Sequence, residues 1–131
     1  MAEISRKIGR LAEGKFIGKA IELGIPILYP LVEGLRYDFV IDRNGLHRVQ
    51  VKGTAGSEGE KFHFYPSTPN SSGSGRNSYS VEDMDFMAVY LQTADIWYIL
   101  PSSVIAGKKH VVFFPKGKST YNEYLEAWEL L

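Results

Sequence analysis

The stretch from Tyr37 to Lys52 constrains the fold more than any other, because its alternation fixes two strands and the turn between them. Apolar and polar residues follow one another with the period of a strand. Tyr37, Phe39, Ile41, His47, Val49 and Val51 fall on one face. Asp38, Val40, Asp42, Leu46, Arg48, Gln50 and Lys52 fall on the other. Asn44-Gly45 supplies the turn, since both residues tolerate positive φ. Opposed residues of an antiparallel pair share a face. A two-residue loop would set Phe39 opposite Gln50 and mix the faces. A three-residue loop, Arg43 to Gly45, pairs Asp42 with Leu46 and Asp38 with Gln50, and keeps both faces uniform.

That register gathers Asp38, Gln50 and Lys52 on one surface. A carboxylate and an amide oxygen are donors for a hard cation. A cation there polarises a phosphate and activates a water. An ammonium beside it steadies the attacking hydroxide or the developing charge. The alternative is an ordinary exposed sheet face, common in antiparallel sheets.

Asp, a gap, an acidic or amide residue, a spacer and Lys form the signature of the PD-(D/E)XK nuclease superfamily. This chain resembles it through Asp38 and Gln50-Val51-Lys52. Gln50 stands where Asp or Glu is usual, and Tyr37 rather than Pro precedes Asp38. Around this core, Gly9-Arg10-Leu11-Ala12-Glu13 opens a helix, Gly24 ends it, Pro30 follows a strand, and Trp97-Tyr98-Ile99-Leu100-Pro101 resembles the strand that ends in Pro. From Lys7 to Pro115 the order is similar to the group I intron-associated homing endonucleases, in which Gln-x-Lys is the normal form. More distantly it is similar to archaeal Holliday junction resolvases, which share the early helix glutamate.

The resemblance implies an α/β, restriction-endonuclease-like fold over residues 1–131 as a single domain, with a central mixed sheet flanked by helices. It implies cleavage of DNA phosphodiesters, duplex or branched, with Mg2+ as cofactor and Mn2+ as a substitute. Asp38, Gln50 and Glu13 would hold the metal, and Lys52 would stabilise nucleophile and transition state. Cutting both strands with so small a chain implies a homodimer or homotetramer. A homing-type enzyme comes first, a junction resolvase second, and a catalytically inactive DNA-binding domain of the same fold third.

Zero net charge is unusual for a nucleic-acid enzyme, but the charge is unevenly placed. Arg6, Lys7 and Arg10 cluster near the start, and the tail after Ser119 carries Glu123, Glu126 and Glu129 without a base. Arg6, Lys7, Arg10, Arg48, His63 and Arg76 are the candidate DNA contacts. No cysteine is present, which suits a reducing cytoplasm and excludes disulfides and thiolate metal sites. The polar first residues predict no signal peptide, and no apolar run is long enough to span a membrane.

The rest of the chain reads in order. Ile4 to Leu23 is an amphipathic helix whose apolar stripe is Ile8, Leu11, Ala12, Phe16, Ala20 and Leu23. Glu13 lies off that stripe; taken alone it is a solvated carboxylate, and the family pattern gives it a role in binding metal or orienting water. Ile25 to Leu31, with Pro26 and Pro30, is an edge strand. Asp42 and Arg48 share a face, as an ion pair or with Arg48 on DNA. Gly53 to Glu60 is a polar loop, and Lys61 to Tyr65 alternates again, with Phe62 and Phe64 on one side. His63 is structural or a phosphate contact, and His47, His63 and His110 lack zinc-ligand spacing. Ser67 to Ser80 is either a connector or a loop that tracks a phosphate backbone with its amides, hydroxyls and Arg76. Phe86 to Leu91 and Ile96 to Leu100 are paired strands, with a helix over Val81 to Leu91 as the alternative. Ser102 to Ala106 is one helical turn and Val111 to Phe114 a strand. A final helix starts at a Thr120-x-x-Glu123 capping box and buries Tyr121, Tyr124, Leu125 and Trp128.

Overall fold

The computed structural model describes residues 2–69 and 75–131. Helix α1 (Ala2–Glu22) leads into strands β1 (Ile27–Leu28), β2 (Phe39–Asp42) and β3 (Leu46–Thr54). Then come β4 (Ser57–Glu58), β5 (Lys61–Phe64), β6 (Ser67–Pro69), β7 (Arg76–Ser78), β8 (Phe86–Leu91) and β9 (Ile96–Pro101). A single helical turn, α2 (Ser102–Ile105), precedes β10 (Val111–Phe113), and two 3-10 turns, Asn122–Tyr124 and Trp128–Leu130, close the chain.

The central sheet has five strands in the order β1-β2-β3-β8-β9. It is mixed: β3 and β8 run parallel and the other neighbours antiparallel. The observed hairpin register is the one that kept the faces uniform, with Asp42 opposite Leu46 and Phe39 opposite Val49. Asn44 (φ 55°) and Gly45 (φ 107°) both take positive φ in the loop. β8 and β9 are buried along almost their whole length, which is why they read as continuous apolar runs. The helix alternative over Val81 to Leu91 is thereby replaced by a strand preceded by a turn.

Each face of the sheet has its own core. Phe39, Ile41, Val49, Val51, Ala88, Tyr90, Trp97 and Ile99 pack under α1 through Ala12, Phe16 and Ala20. Leu11 and Leu23, expected in that stripe, are exposed, and Ile17 packs at its edge instead. The opposite face, Met87, Val89, Leu91, Tyr98 and Leu100, is covered by no long helix among the described residues. A second sheet, β10-β5-β4, lies there and contributes Phe62, Phe64, Val111 and Phe113. Tyr37 packs with this second cluster, not with Phe39 and Ile41 as the alternation implied, because it precedes the regular part of β2.

Three loop or helix expectations change. The supposed loop from Gly53 to Glu60 is shorter, since β3 runs on to Thr54 and Ser57–Glu58 pairs with β5. The flanks of the Ser67 to Ser80 segment pair as an antiparallel ribbon, β6 with β7, while its middle lies outside the described residues. The C-terminal helix does not form. Glu126 adopts φ 50°, its amide donates to the Trp97 carbonyl at 2.8 Å, and its carboxylate accepts from the Trp97 amide at 2.6 Å and the Trp128 indole at 2.8 Å. Pairing with the open edge of β9 thus replaces helical hydrogen bonds. Thr120 and Glu123 make no capping box, and of the expected stripe only Trp128 is buried.

One glycine sets how closely α1 approaches the sheet. A Cβ on Gly53 would lie 2.9 Å from Ile8 Cγ2, 3.1 Å from Ala12 Cβ and 3.2 Å from the Ile8 carbonyl oxygen. Gly53→Ala should therefore destabilise the protein by about 1–3 kcal/mol, measured by denaturant unfolding, because backbone and a short side chain have to give way. An unchanged midpoint would mean that α1 is free to move off the sheet.

Candidate active site

Four side chains converge where α1 crosses the end of the β2–β3 hairpin. β2 begins one residue after Asp38, so β3 runs past it with backbone groups to satisfy. Asp38 meets that need. Its amide donates to the Val49 carbonyl at 2.8 Å, and its Oδ2 accepts the Val51 amide at 2.7 Å. The bond fixes the carboxylate in orientation and leaves Oδ1 without a hydrogen-bond donor among the described residues. Continuing the register by one step sets Gln50 opposite Asp38. Gln50 is only 9% exposed, and Lys52 is half-buried on the same side of β3. Glu13 comes from the middle of α1, next to Ala12 at the close approach to Gly53.

The electrostatics record this proximity. Burial raises the Asp38 carboxyl above its ordinary value, opposed by the Val51 amide and the Lys52 charge. Burial and then the Asp38 charge raise Glu13, opposed by Arg10 and Lys52. Two carboxylates thus repel one another beside an ammonium that has no ion-pair or hydrogen-bond partner among the described residues. A raised carboxyl stabilises the fold fully below the unfolded-state pKa, and that contribution disappears as pH rises through the folded-state value. Asp38→Asn removes the charge and keeps an oxygen for the Val51 amide. The variant should melt at a higher temperature than wild type near neutral pH, with the gap closing in acid; a lower melting temperature across the range would contradict this.

The remaining candidates lie elsewhere. Arg6, Lys7 and Arg10 are exposed on α1. Arg48 does not pair with Asp42. Its amide donates to Asp85 Oδ2 at 2.8 Å, its Nε lies 3.4 Å from the same oxygen, and its Nη1 donates to the Glu82 carbonyl at 2.8 Å. These bonds tie β3 to the turn before β8, and although burial opposes it, the Arg48 contacts hold Asp85 below the usual carboxylate range. Asp42 is exposed opposite Leu46. His63 sits on the second sheet, its Nδ1 2.9 Å from His110 Nε2 and its Nε2 3.3 Å from Glu58. None of these contacts joins it to Asp38 or Lys52. Arg76 lies on β7 by its backbone, and its side chain is outside the described residues.

Sequence alternation did not mark Arg36, Asn77 and Tyr79, which with Leu35 share a pocket with Gln50 and Lys52. Only the cation two residues before Asp38 could have been flagged from the chain itself.

A mixed sheet under a helix thus carries Asp38 just before β2 and Gln50-Val51-Lys52 on β3. The model of the PD-(D/E)XK endonuclease family matches residues 4–131, and the chain belongs to that family. The solved structure of a bacterial homing endonuclease, I-Ssp6803I, is similar to it at 26% identity and a TM-score of 0.81, covering 96% of this chain and 91% of that one. The fold is therefore restriction-endonuclease-like and the protein is a nuclease. No curated protein matches. No described helix is long and apolar enough to cross a membrane.

Proposed function

We propose that this nuclease hydrolyses DNA phosphodiester bonds with a divalent metal, magnesium or in its place manganese, and that it is of the homing type. The observation that carries the reading is the Asp38 carboxylate, clamped by the Val51 amide beside Gln50, Lys52 and Glu13. The donor set fits a hard cation: a free carboxylate oxygen of Asp38, the Gln50 amide oxygen and the Glu13 carboxylate. Among the described residues no three His, Cys, Asp or Glu side chains are gathered as ligands, because the third oxygen here comes from Gln50. Magnesium, when bound, would neutralise phosphate charge and make a water more acidic.

The chain's own residues supply the rest. Asp38 and Gln50 hold the metal, and Glu13 binds it or orients the water. Lys52 places its ammonium against the nucleophile and the charge that builds on the phosphate. The similar bacterial structure is titled a homing endonuclease, and this chain carries the amide form of the motif, Gln50-Val51-Lys52. Residues 1–131 act as a single domain, in the cytoplasm, and two copies or four supply the sites that a double-strand cut requires. Exposed Arg6, Lys7 and Arg10 extend the DNA contact along α1.

Digestion of linear duplex, supercoiled plasmid and a four-way junction with magnesium, manganese or calcium tests the reading. Cleavage of duplex is the expected result. Cutting of the junction alone would make the protein a resolvase, and binding without cleavage would make it an inactive DNA-binding domain.

A further inference from the structure

We infer that Arg36, set over the Tyr79 ring beside Lys52, binds a DNA phosphate neighbouring the one that Lys52 faces. This rests on the nuclease reading above and extends its substrate contacts. Tyr79 is buried, and two cations use its ring: the Arg36 guanidinium carbon lies 4.3 Å from the centroid and the Lys52 ammonium 5.4 Å from it. Both side chains, with Gln50 and Asn77, line one small pocket next to the candidate metal site. The guanidinium is held close against the ring, and its planar fork suits a bidentate contact with a phosphate.

Its hydrogen bonding is incomplete. Nη1 has one carboxylate partner, Asp83 Oδ2, at 3.4 Å, and Nη2 is shielded from water with no hydrogen-bond partner among the described residues. A buried donor left unmatched is a group that an incoming anion satisfies. An oxygen of a strand phosphate supplies that acceptor, and a small adjustment of the guanidinium on the ring opens Nη2 to it. Both cations reach the same ring and line the same pocket, and the Lys52 charge also acts on Asp38, so Arg36 is placed to serve a phosphate adjacent to the one at Lys52.

The test is the salt dependence of binding to a fluorescent duplex of random sequence, with a chelator present so that nothing is cut. Arg36→Ala should weaken binding about 10-fold and reduce the slope of log affinity against log salt by about 1. Arg36→Gln keeps a planar group on Tyr79 and a donor toward Asp83, so it holds the fold while losing the charge; the same loss of slope is expected. Arg36→Lys keeps the charge and should retain the slope. A folded Arg36→Gln protein with wild-type slope and affinity would overturn the inference and leave Arg36 as a structural partner of Asp83, with the nuclease reading intact. Failure of wild type itself to bind duplex or to cut it with magnesium would overturn both.

Discussion

Lys52→Ala is expected to cut DNA about 100- to 1000-fold more slowly than wild type, the usual cost of removing one preorganised electrostatic stabiliser. Its ammonium is set by the Tyr79 ring and by the charges of Asp38 and Glu13, and it packs into neither core. Truncation therefore removes little apolar contact, so the fold should largely survive, and DNA affinity should fall only by about the 10-fold expected of one phosphate-facing cation. Single-turnover rates, with thermal melting as the control, make the separation. A folded Lys52→Ala enzyme that cuts at the wild-type rate would remove lysine from the mechanism.

Phe16→Ala should have the largest effect on stability. The Phe16 side chain is fully buried between α1 and the sheet. Its ring stacks on Phe39 at 5.4 Å and meets Trp97 at 5.7 Å and Trp128 at 5.6 Å. Deleting such a ring costs about 3–5 kcal/mol, against a total stability of about 5–15 kcal/mol for an ordinary domain. Denaturant unfolding should show that loss. Leu11→Ala, at a position 38% exposed on the same helix, should move the midpoint much less. Equal effects would mean that α1 packs through the wrong face. Because Glu13 lies one turn before Phe16, the same packing positions the helix carboxylate at the site.

The hairpin was legible because alternation and turn chemistry agree: only one register keeps Phe39, Ile41, Val49 and Val51 together, and that register is observed. The paired strands at Phe86 and Ile96 were legible for a related reason, since a sheet buried on both faces leaves continuous apolar runs. What covers a face is a long-range property, and periodicity is silent about it. Thus the second sheet over Met87 and Tyr98, the pairing of Arg48 with Asp85, and the turn of Tyr37 toward the second cluster came only from the tertiary structure. The C-terminal segment shows the competition directly. Local signals at Thr120 and Glu123 favour a helix, but Glu126 gains the unpaired edge of β9 and the Trp128 indole instead. The proximity of Asp38, Gln50 and Lys52 was readable from their spacing and the hairpin register; the placing of Arg36 on Tyr79 was not, because the two are distant in sequence from one another.

The most direct test of the central claim is nicking of supercoiled plasmid by purified wild type and Asp38→Asn, each with magnesium, with manganese and with a chelator. Wild type should nick only when the metal is present, and Asp38→Asn, which keeps the Val51 hydrogen bond but not the charge, should be nearly inactive in all three. Nicking by wild type in the chelator, or equal nicking by the two proteins with magnesium, would contradict a metal-dependent site built on Asp38.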